Sequence, residues 1–389
     1  MKSYDFQKVI DRRGTDCVKW DGLNEFFQRD DLRSMWVADM DLRTPDFIID
    51  SLRKRLDHPV LGYGITPKSW QRACLDWVGR RHGVQATEEN LMFIPGIVRG
   101  IAFAIGALTK ENDRILVMEP VYHPFFLVPQ RNHRTVVFHH LVIDEERLKI
   151  DFDQLDKDLE GCKMMILCNP HNPGGRVWSL EELQTIAALA QKHGVIVLSD
   201  EIHSDLTFPE KKHRSYSTVS QAARNHSITM SSPSKTFNMP GLFSSMALVF
   251  NPDIREQFRN YLEASELDMG NILAYTATTA AFSPEGEAWL KQMLEHLNHN
   301  VDVAERFLVE RLPMVGMMRP EASFLVFLDF RRLGLDQKAL NALIRDKAHL
   351  ALNDGEMFGP GGHGFMRMNI AVPTSELLKG LEQLECAIR

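Results

Sequence analysis

Several short apolar runs of this sequence are followed closely by polar side chains that could carry chemistry. Tyr122 and Asn172 each come a few residues after such a run, Asp200 follows a third, and Lys235 follows a fourth stretch after several serines. Short continuous apolar runs are typical of strands buried on both faces of a parallel sheet, and ligands bind beyond the carboxyl ends of such strands. The pattern therefore predicts one site that contains a phenol, an amide, a carboxylate and an amine.

This set of side chains meets the needs of pyridoxal 5'-phosphate (PLP). PLP requires a lysine amine for a Schiff base and an acid beside its pyridine nitrogen, which keeps the ring an electron sink. Lys235 can supply the amine and Asp200 the acid, while Tyr122 can stack on the ring. Asn172 and His203 can face the phenolate oxygen. Each residue alone has an ordinary explanation, such as a solvated lysine or a helix N-cap, but their occurrence at one sheet edge favours a PLP site.

The phosphate of PLP also needs an anion site. Gly96 precedes an apolar stripe with helical spacing, so the first amides of that helix, at Ile97 and Val98, would be free to bind an anion. Ser232 and Ser234 add hydroxyl groups next to the lysine. Without the neighbouring motifs, Gly96 would equally well be an ordinary helix start.

The elements expected to position these residues are strands and helices in alternation. Ser179 and Glu182 form a capping box before an amphipathic stretch, and Gly194 ends it, which predicts a helix between two strands. Such βαβ units predict an α/β fold with a mostly parallel sheet between layers of helices. The runs predicted as buried parallel strands are 115–118, 164–168, 195–198 and 247–250.

The last hundred residues predict a smaller α+β domain. Long helical patterns and strand-like runs alternate there, namely helices at 285–312, 337–348 and 375–388 and strands at 324–330 and 365–370. We expect a large PLP-binding domain at 45–282 and a small domain made of 1–44 and 283–389. The first forty-odd residues are expected to form an arm that packs on the C-terminal part.

Composition excludes several other classes of protein. The chain has 389 residues, with 45 Lys and Arg against 52 Asp and Glu, and its formal net charge is −7. This balance argues against nucleic-acid binding, which normally requires a basic face. No apolar run approaches the ~20 residues that span a bilayer, and the N-terminus lacks a secretory core. Five scattered cysteines form no disulfide framework. We expect a cytoplasmic protein that binds neither nucleic acid nor membrane.

Two pairs of histidines raise the question of a metal site. His296 and His299 form H-x-x-H in a predicted helix, and His139 and His140 are adjacent. A metal site needs a third and a fourth ligand at suitable geometry. We interpret these side chains as solvated histidines and predict no metal site.

Short motifs along essentially the whole chain carry a family resemblance. They are Lys19-Trp20-Asp21, Val37-Ala38-Asp39-Met40-Asp41, Leu61-Gly62-Tyr63, Pro170-His171-Asn172-Pro173, Gly175-Arg176-Val177-Trp178, Ser199-Asp200-Glu201-Ile202-His203, Pro233-Ser234-Lys235-Thr236-Phe237-Asn238 and the glycine-rich stretch 358–365. Together they resemble the fold-type I PLP-dependent (class I and II aminotransferase) superfamily. Within it they are similar to the cystathionine β-lyase and cystalysin group of carbon–sulfur lyases, the MalY/PatB group. The histidine at 203 and the Ala-Asp-Met-Asp stretch are specific to that group.

The resemblance implies roles for individual residues. Lys235 resembles the lysine that binds PLP covalently, and together with Tyr122 and Asp200 it is an expected catalytic residue. Arg367 matches the arginine that binds the substrate α-carboxylate, assisted by Asn172.

Two further positions are expected to contribute to substrate binding. Ala38 lies in the group-specific stretch near the N-terminus. Tyr63 matches a tyrosine that reaches the PLP phosphate of the neighbouring subunit, which implies a homodimer with shared active sites.

The implied activity is α,β-elimination of L-cystathionine or cysteine-type substrates. Its products would be a thiol (homocysteine or sulfide), pyruvate and ammonia. The residue types leave two alternatives open, because they serve the chemistry equally well up to the substrate carbanion. One is an aminotransferase of α-amino acids, and the other is a regulatory protein that keeps the PLP site as a sensor.

The sequence departs from the family pattern in three places, one of which is Gly174, where relatives often have a larger residue. His123 stands where close relatives carry a second tyrosine. Aminotransferases often carry an arginine for the phosphate shortly after the lysine, but residues 236–244 contain neither arginine nor lysine. Phosphate binding is therefore expected to depend on backbone amides, serines and Tyr63.

Overall fold

The computed structural model describes residues 2–144 and 147–389. The strands, in chain order, are β1 Arg33–Ser34, β2 Leu91–Ile94, β3 Arg114–Glu119, β4 Thr135–His140, β5 Val142–Asp144, β6 Arg147–Lys149, β7 Cys162–Cys168, β8 Ile196–Asp200, β9 Ser227–Ser231, β10 Ser245–Val249, β11 Gly316–Met318, β12 Leu325–Asp329, β13 Leu350–Ala351, β14 Asn353–Asp354 and β15 Phe365–Asn369.

The helices, in chain order, are α1 Val18–Asp21, α2 Leu23–Phe27, α3 Asp46–Leu56, α4 Lys68–His82, α5 Ile97–Leu108, α6 Pro124–Arg131, α7 Phe152–Asp158, α8 Leu180–His193, α9 Gln221–Asn225, α10 Pro233–Thr236, α11 Pro252–Ala264, α12 Ile272–Ala281, α13 Pro284–Arg311, α14 Gln337–Ala342 and α15 Thr374–Ile388. A π-helical turn, Leu343–Lys347, continues α14.

The larger sheet of the described residues has seven strands in the order β2-β10-β9-β8-β7-β3-β4. β4, β3, β7, β8 and β9 pair in parallel, whereas β10 runs antiparallel to both β9 and β2. The predicted α/β fold with a mostly parallel sheet is confirmed, but the prediction of a parallel strand at 247–250 is wrong. An apolar run reports burial on both faces and not strand direction, so the sequence could not reveal this reversal.

Alternate residues of the central strands face two different hydrophobic cores. Ile115 and Val117 of β3 belong to the core that contains the apolar face of α5, whereas Leu116 and Met118 belong to the core that contains α8. Helices therefore cover both faces of the sheet, which explains why these strands are apolar at every position.

Helix α8 begins and ends where the sequence predicts. Ser179 is its N-cap and forms the capping box with Glu182, while Gly194 ends it at φ +65°. The helix connects β7 to β8, and because these neighbouring strands are parallel, their carboxyl ends open at the same edge of the sheet.

A second sheet of the described residues has four antiparallel strands in the order β11-β12-β15-β14. Helices α13 and α15 pack against each other beside this sheet. The helices predicted at 285–312 and 375–388 correspond to α13 and α15, and the two predicted strands correspond to β12 and β15. The smaller α+β part is thus confirmed, while the domain limits at residues 44 and 282 stay a prediction.

The N-terminal part of the chain contacts the C-terminal part through β1, which pairs in parallel with β13 in a two-stranded sheet. Buried charges hold the next segment in place. Arg12 contacts Asp39 and Asp41 at 2.8 Å each, and the fully buried Lys19 contacts Asp41 at 3.0 Å. Carboxylates paired in this way can be buried at acceptable cost. The pairs fix the backbone next to Ala38.

The histidines considered for metal binding are engaged in other contacts. His296 is only 8% exposed, and its Nε2 donates to the Val372 carbonyl at 2.9 Å. His139 is buried, with Nδ1 2.9 Å from Asp158. The interpretation as solvated histidines is therefore wrong for these two. In the described ranges, no group of three or more His, Cys, Asp or Glu side chains could hold a metal ion.

The helices also bear on the expectation that the protein does not bind a membrane. No helix within residues 2–144 and 147–389 combines the length and the apolar character that crossing a bilayer requires.

Candidate active site

A cavity of about 310 Å³ lies at the carboxyl ends of β7, β8 and β9. Its size is typical of a site for a small molecule. The predicted residues in its wall are Ala38, Ile97, Val98, Tyr122, Asn172, Asp200, His203, Ser234 and Lys235. The fold thus brings together side chains from six separate segments of the chain, as the strand-end rule predicts.

Lys235 lies on the short helix α10, directly after β9. Its Nζ donates a hydrogen bond to the Ala38 carbonyl at 2.5 Å. Burial lowers the pKa of Lys235 to about 8, although the carboxylates of Asp39 and Asp200 act in the opposite direction. The amine is therefore much closer to its neutral, nucleophilic form at pH 7 than an ordinary lysine is.

Asp200 is the last residue of β8 and is 6% exposed. One of its oxygens accepts a hydrogen bond from the Ile202 amide at 2.9 Å. Burial raises the pKa of Asp200 to about 7, despite this bond and the nearby Lys235. A buried carboxylate with so little compensation is suited to a ligand that presents a protonated nitrogen, which is what the pyridine ring of PLP provides.

His203 contributes an unsatisfied polar atom to the cavity. Its buried Nδ1 has no hydrogen-bond partner among the described residues. Burial, together with Lys235 and Arg367, lowers the pKa of His203 to about 3, so the ring is neutral at physiological pH. Buried polar atoms without partners are rare in folded proteins, and a bound polar ligand would complete this one. The residues present therefore fit PLP.

Tyr122 and Asn172 are joined through their backbones. The Tyr122 amide donates to the Asn172 carbonyl at 3.1 Å. Burial raises the pKa of Tyr122, so its hydroxyl keeps its proton at neutral pH. The ring is free to stack on a ligand in the cavity, whose wall it helps to form.

Arg367 lies in β15 and is 4% exposed; it is not part of the cavity wall but is hydrogen-bonded to Asn172, which is. Its NH1 donates to the side-chain oxygen of Asn172 at 3.1 Å, and its NH2 donates to that of Asn353 at 2.6 Å. NH2 also donates to the Trp36 carbonyl. Burial lowers the pKa of Arg367 to about 10. Within the described residues, this buried guanidinium has only neutral hydrogen-bond partners and its Nε has none, so it is suited to bind an anion.

The start of α5, which is predicted to bind an anion, lies in the cavity wall. Gly96 has φ +104°, a backbone conformation that favours glycine, and Ile97 begins the helix. Ser234 joins Ile97 and Val98 in the cavity wall. Ser232 does not lie in the wall, because its hydroxyl caps α10 by accepting from the Ser234 amide and also donates to the Ser244 carbonyl.

Two other predicted or noted residues lie outside the wall. Tyr63 is fully exposed in the segment between α3 and α4, so its role toward a neighbouring subunit stays a prediction. His123 packs edge-on against Tyr122, and burial lowers its pKa to about 4. His123 is therefore neutral at pH 7 and would bring no charge to a ligand.

The wall also contains residues that sequence reasoning missed, among them Cys168, Arg99 and Phe243. Cys168 is the last residue of β7, so the strand-end rule could have found it. Arg99 lies within the first turn of α5, the helix whose start the sequence predicts to bind an anion. Phe243 carries no local signal, since only the tertiary fold brings it beside α5.

Comparisons with known proteins agree with this geometry. The sequence model of the family described as "Aminotransferase class I and II" matches residues 37–384. The chain is 38% identical to cystathionine beta-lyase PatB of Bacillus subtilis, with 98% of this chain and 99% of PatB covered. It is 32% identical to protein MalY of Escherichia coli, with 99% of each chain covered. The crystal structure of cystalysin from Treponema denticola, which contains a pyridoxal 5'-phosphate cofactor, superposes with a TM-score of 0.96 at 31% identity over 99% of each chain.

Proposed function

The chain belongs to the class I and II aminotransferase family, and on this basis we propose that it is a PLP-dependent carbon–sulfur β-lyase. Its substrates are L-cystathionine or cysteine-type amino acids, and its products are a thiol, pyruvate and ammonia. The observation that supports the use of PLP most directly is the placement of Lys235 and Asp200 in one cavity, each with its pKa displaced by burial. The relative PatB, named a cystathionine beta-lyase, supports the substrate class.

Each part of the cavity has a proposed role toward PLP. Lys235 binds the cofactor covalently, Asp200 accepts a hydrogen bond from the pyridine nitrogen, and Tyr122 stacks on the ring. Asn172 and His203 serve the phenolate oxygen. When bound, PLP supplies an electron sink for the negative charge that develops at the substrate Cα.

Arg367 is proposed to bind the substrate α-carboxylate. Its Nε–H and one N–H of NH1 have no partner among the described residues, so two charged donors remain for the carboxylate. Asn172 and Asn353 hold the guanidinium through neutral oxygens, so its positive charge remains available to the carboxylate. Fixing the carboxylate in this way sets the direction of the bond from Cα to hydrogen.

Lys235 is proposed to remove the Cα proton. Burial already keeps its pKa near 8, and a base with a pKa near the working pH is the most effective one. The Ala38 carbonyl, 2.5 Å from Nζ, limits the positions that the amine can take. Loss of the proton allows a thiol group on Cβ to leave, and the remaining fragment hydrolyses to pyruvate and ammonia.

An aminotransferase activity would use the same residues as far as the loss of the Cα proton. The two reactions differ only in whether a leaving group departs from Cβ or a proton is returned. A purely regulatory use of the site is not supported by any particular residue, since the groups needed for catalysis are all present in the cavity wall or bound to it.

We also propose a homodimer whose subunits share active sites. Tyr63 belongs to an exposed segment that includes the apolar side chains Val60, Leu61 and Ile65. Contiguous exposed apolar surface is typical of an interface between proteins.

A cytoplasmic location is proposed because all five cysteines are unpaired, as expected in a reducing compartment.

Product analysis tests the proposed function. The purified protein is incubated with L-cystathionine, and pyruvate, ammonia and free thiol are measured together. Equal amounts of the three support β-elimination. An amino-group transfer to an added 2-oxo acid, without pyruvate or thiol, would instead show an aminotransferase.

A further inference from the structure

Arg99 is a cation in the cavity wall, next to the amides at the start of α5. Its guanidinium carbon lies 4.1 Å from the centroid of the Phe243 ring. One of its nitrogens donates to the Pro95 carbonyl at 3.0 Å. Arginine has five N–H donors, so most of them remain for a ligand.

The charges of the cavity wall indicate that Arg99 is the cation available to a phosphate. A phosphate monoester carries close to two negative charges at neutral pH. Lys235 is committed to the covalent attachment of PLP, and the segment 236–244 contains neither lysine nor arginine. Among the wall residues that the structure describes, Arg99 is then the remaining cation. It stands at the end of the cavity where the helix start and Ser234 already favour an anion.

The Arg99 side chain is exposed, but two contacts favour one position of its guanidinium before any ligand binds. The Phe243 ring supports one face of the guanidinium by a cation–π contact, and the Pro95 carbonyl fixes its edge. Phe243 itself has φ +49° and donates its amide to the Pro240 carbonyl at 3.2 Å. A guanidinium restrained in this way loses little conformational freedom when it binds an anion.

We propose that Arg99 binds the phosphate of PLP, with Phe243 as its supporting surface. In this chain, therefore, the cation for the phosphate comes from the first turn of α5 and not from the segment after Lys235. The inference rests on the proposed function, because it takes PLP to be the ligand of this cavity.

The test compares two ligands that differ only in the phosphate. Apoprotein is titrated with PLP and, separately, with pyridoxal, and binding is followed by the quenching of intrinsic fluorescence. Arg99→Gln should weaken PLP binding about 10- to 100-fold, the effect of losing hydrogen bonds to a charged group. Pyridoxal binding should change less than about twofold, and Arg99→Lys should restore most of the PLP affinity because the positive charge returns. Inorganic phosphate should compete with PLP less well in Arg99→Gln than in the wild type.

Arg224→Gln is the matched control. Arg224 also stacks on a phenylalanine, with its guanidinium carbon 3.6 Å from the Phe250 ring centroid, and donates to the Gln85 carbonyl at 2.8 Å. It lies outside the cavity wall, so Arg224→Gln should leave PLP affinity unchanged.

Two outcomes would overturn the role of Arg99. One is PLP affinity in Arg99→Gln within about twofold of the wild type, and the other is an equal loss for PLP and pyridoxal, which would indicate a structural role. A wild-type apoprotein that takes up no PLP would instead overturn the proposed function, and the inference with it.

Discussion

Arg367 and Asn172 lie 195 residues apart in the sequence and are joined by a hydrogen bond of 3.1 Å from NH1 to the side-chain oxygen. The bond connects strand β15 of the small sheet to the loop after β7 of the large sheet. Both partners are buried. The amide therefore holds the guanidinium at the cavity while leaving its charge uncompensated, which is the state needed to bind a carboxylate.

Arg367→Ala should lower kcat/KM for L-cystathionine about 100-fold or more, mainly through a higher KM, because two charge-assisted hydrogen bonds to the substrate are lost. Arg367→Lys should recover only part of this loss, since an ammonium lacks the planar fork. Steady-state kinetics measures both effects, with PLP affinity as the control that should stay constant. A loss confined to kcat would contradict the assignment.

The stability of the PLP-free protein should depend on pH through Asp200. Burial holds the pKa of Asp200 near 7 in the folded protein, whereas an aspartate in an unfolded chain titrates at about 3.9. With the folded-state pKa raised, the contribution to stability is fully present below about pH 4 and is lost as the pH rises through 7. Some three pH units at about 1.4 kcal/mol each amount to a loss of about 4 kcal/mol.

Urea unfolding of apoprotein between pH 4 and pH 8 measures this effect, with Asp200→Asn as the variant that cannot titrate. Asp200→Asn should match the wild type near pH 4 and become the more stable of the two as the pH rises. PLP should abolish the difference in pH dependence, because its ring nitrogen provides the missing partner. A gap between the two proteins that stays constant over this range would count against the buried, uncompensated carboxylate.

Asn238 should stabilise the N-terminal segment that borders the cavity. Its side-chain nitrogen donates to the carbonyls of Met40 and Leu42 at 2.9 and 2.8 Å, and its oxygen accepts from the Met40 amide at 2.9 Å. Asn238→Ala removes these three hydrogen bonds to the backbone of the segment and should cost about 2–4 kcal/mol of unfolding free energy. Thermal or urea denaturation measures the loss.

Asn112 offers the matched control for that substitution. Its backbone is also left-handed, with φ +66° against +53° at Asn238, but it is exposed and its side chain makes no hydrogen bond within the described residues. Both changes to alanine carry the same backbone strain, so only the hydrogen bonds differ. Equal destabilisation of the two variants would show that Asn238 does not hold the segment.

Active sites shared between subunits predict complementation. Tyr63→Ala and Lys235→Ala should each have little activity as pure dimers. If Tyr63 serves the site of the neighbouring subunit, a mixed dimer of the two variants contains one site with both residues intact. Co-refolding the two variants should then restore activity well above that of either alone. No recovery in mixtures that form hybrid dimers would show that Tyr63 acts within its own chain or not at all.

The sequence predicted those parts of the molecule that depend on local rules. The capping box at Ser179 and the glycine at 194 located both ends of α8, and strand ends located Tyr122, Asn172 and Lys235 in one cavity. These features depend on residues that are neighbours in the chain, so periodicity and turn chemistry reveal them.

Features set by distant contacts could not be predicted in this way. The direction of β10 depends on which strands it pairs with, and the burial of His296 depends on the Val372 carbonyl 76 residues away. Likewise, Asn238 reaches Met40 across 198 residues. Each contact is specified by the packed fold and leaves no periodic trace in the local sequence.

The most direct test of the account is the stoichiometry of products from L-cystathionine in the wild type and in Lys235→Ala. We predict a yellow wild-type protein that releases one pyruvate for each thiol, and a variant that still binds PLP but forms neither product. A yellow wild-type protein that transfers the amino group of the substrate without releasing thiol would contradict β-elimination. Equal product formation by Lys235→Ala would contradict the role of the lysine on which the whole site assignment depends.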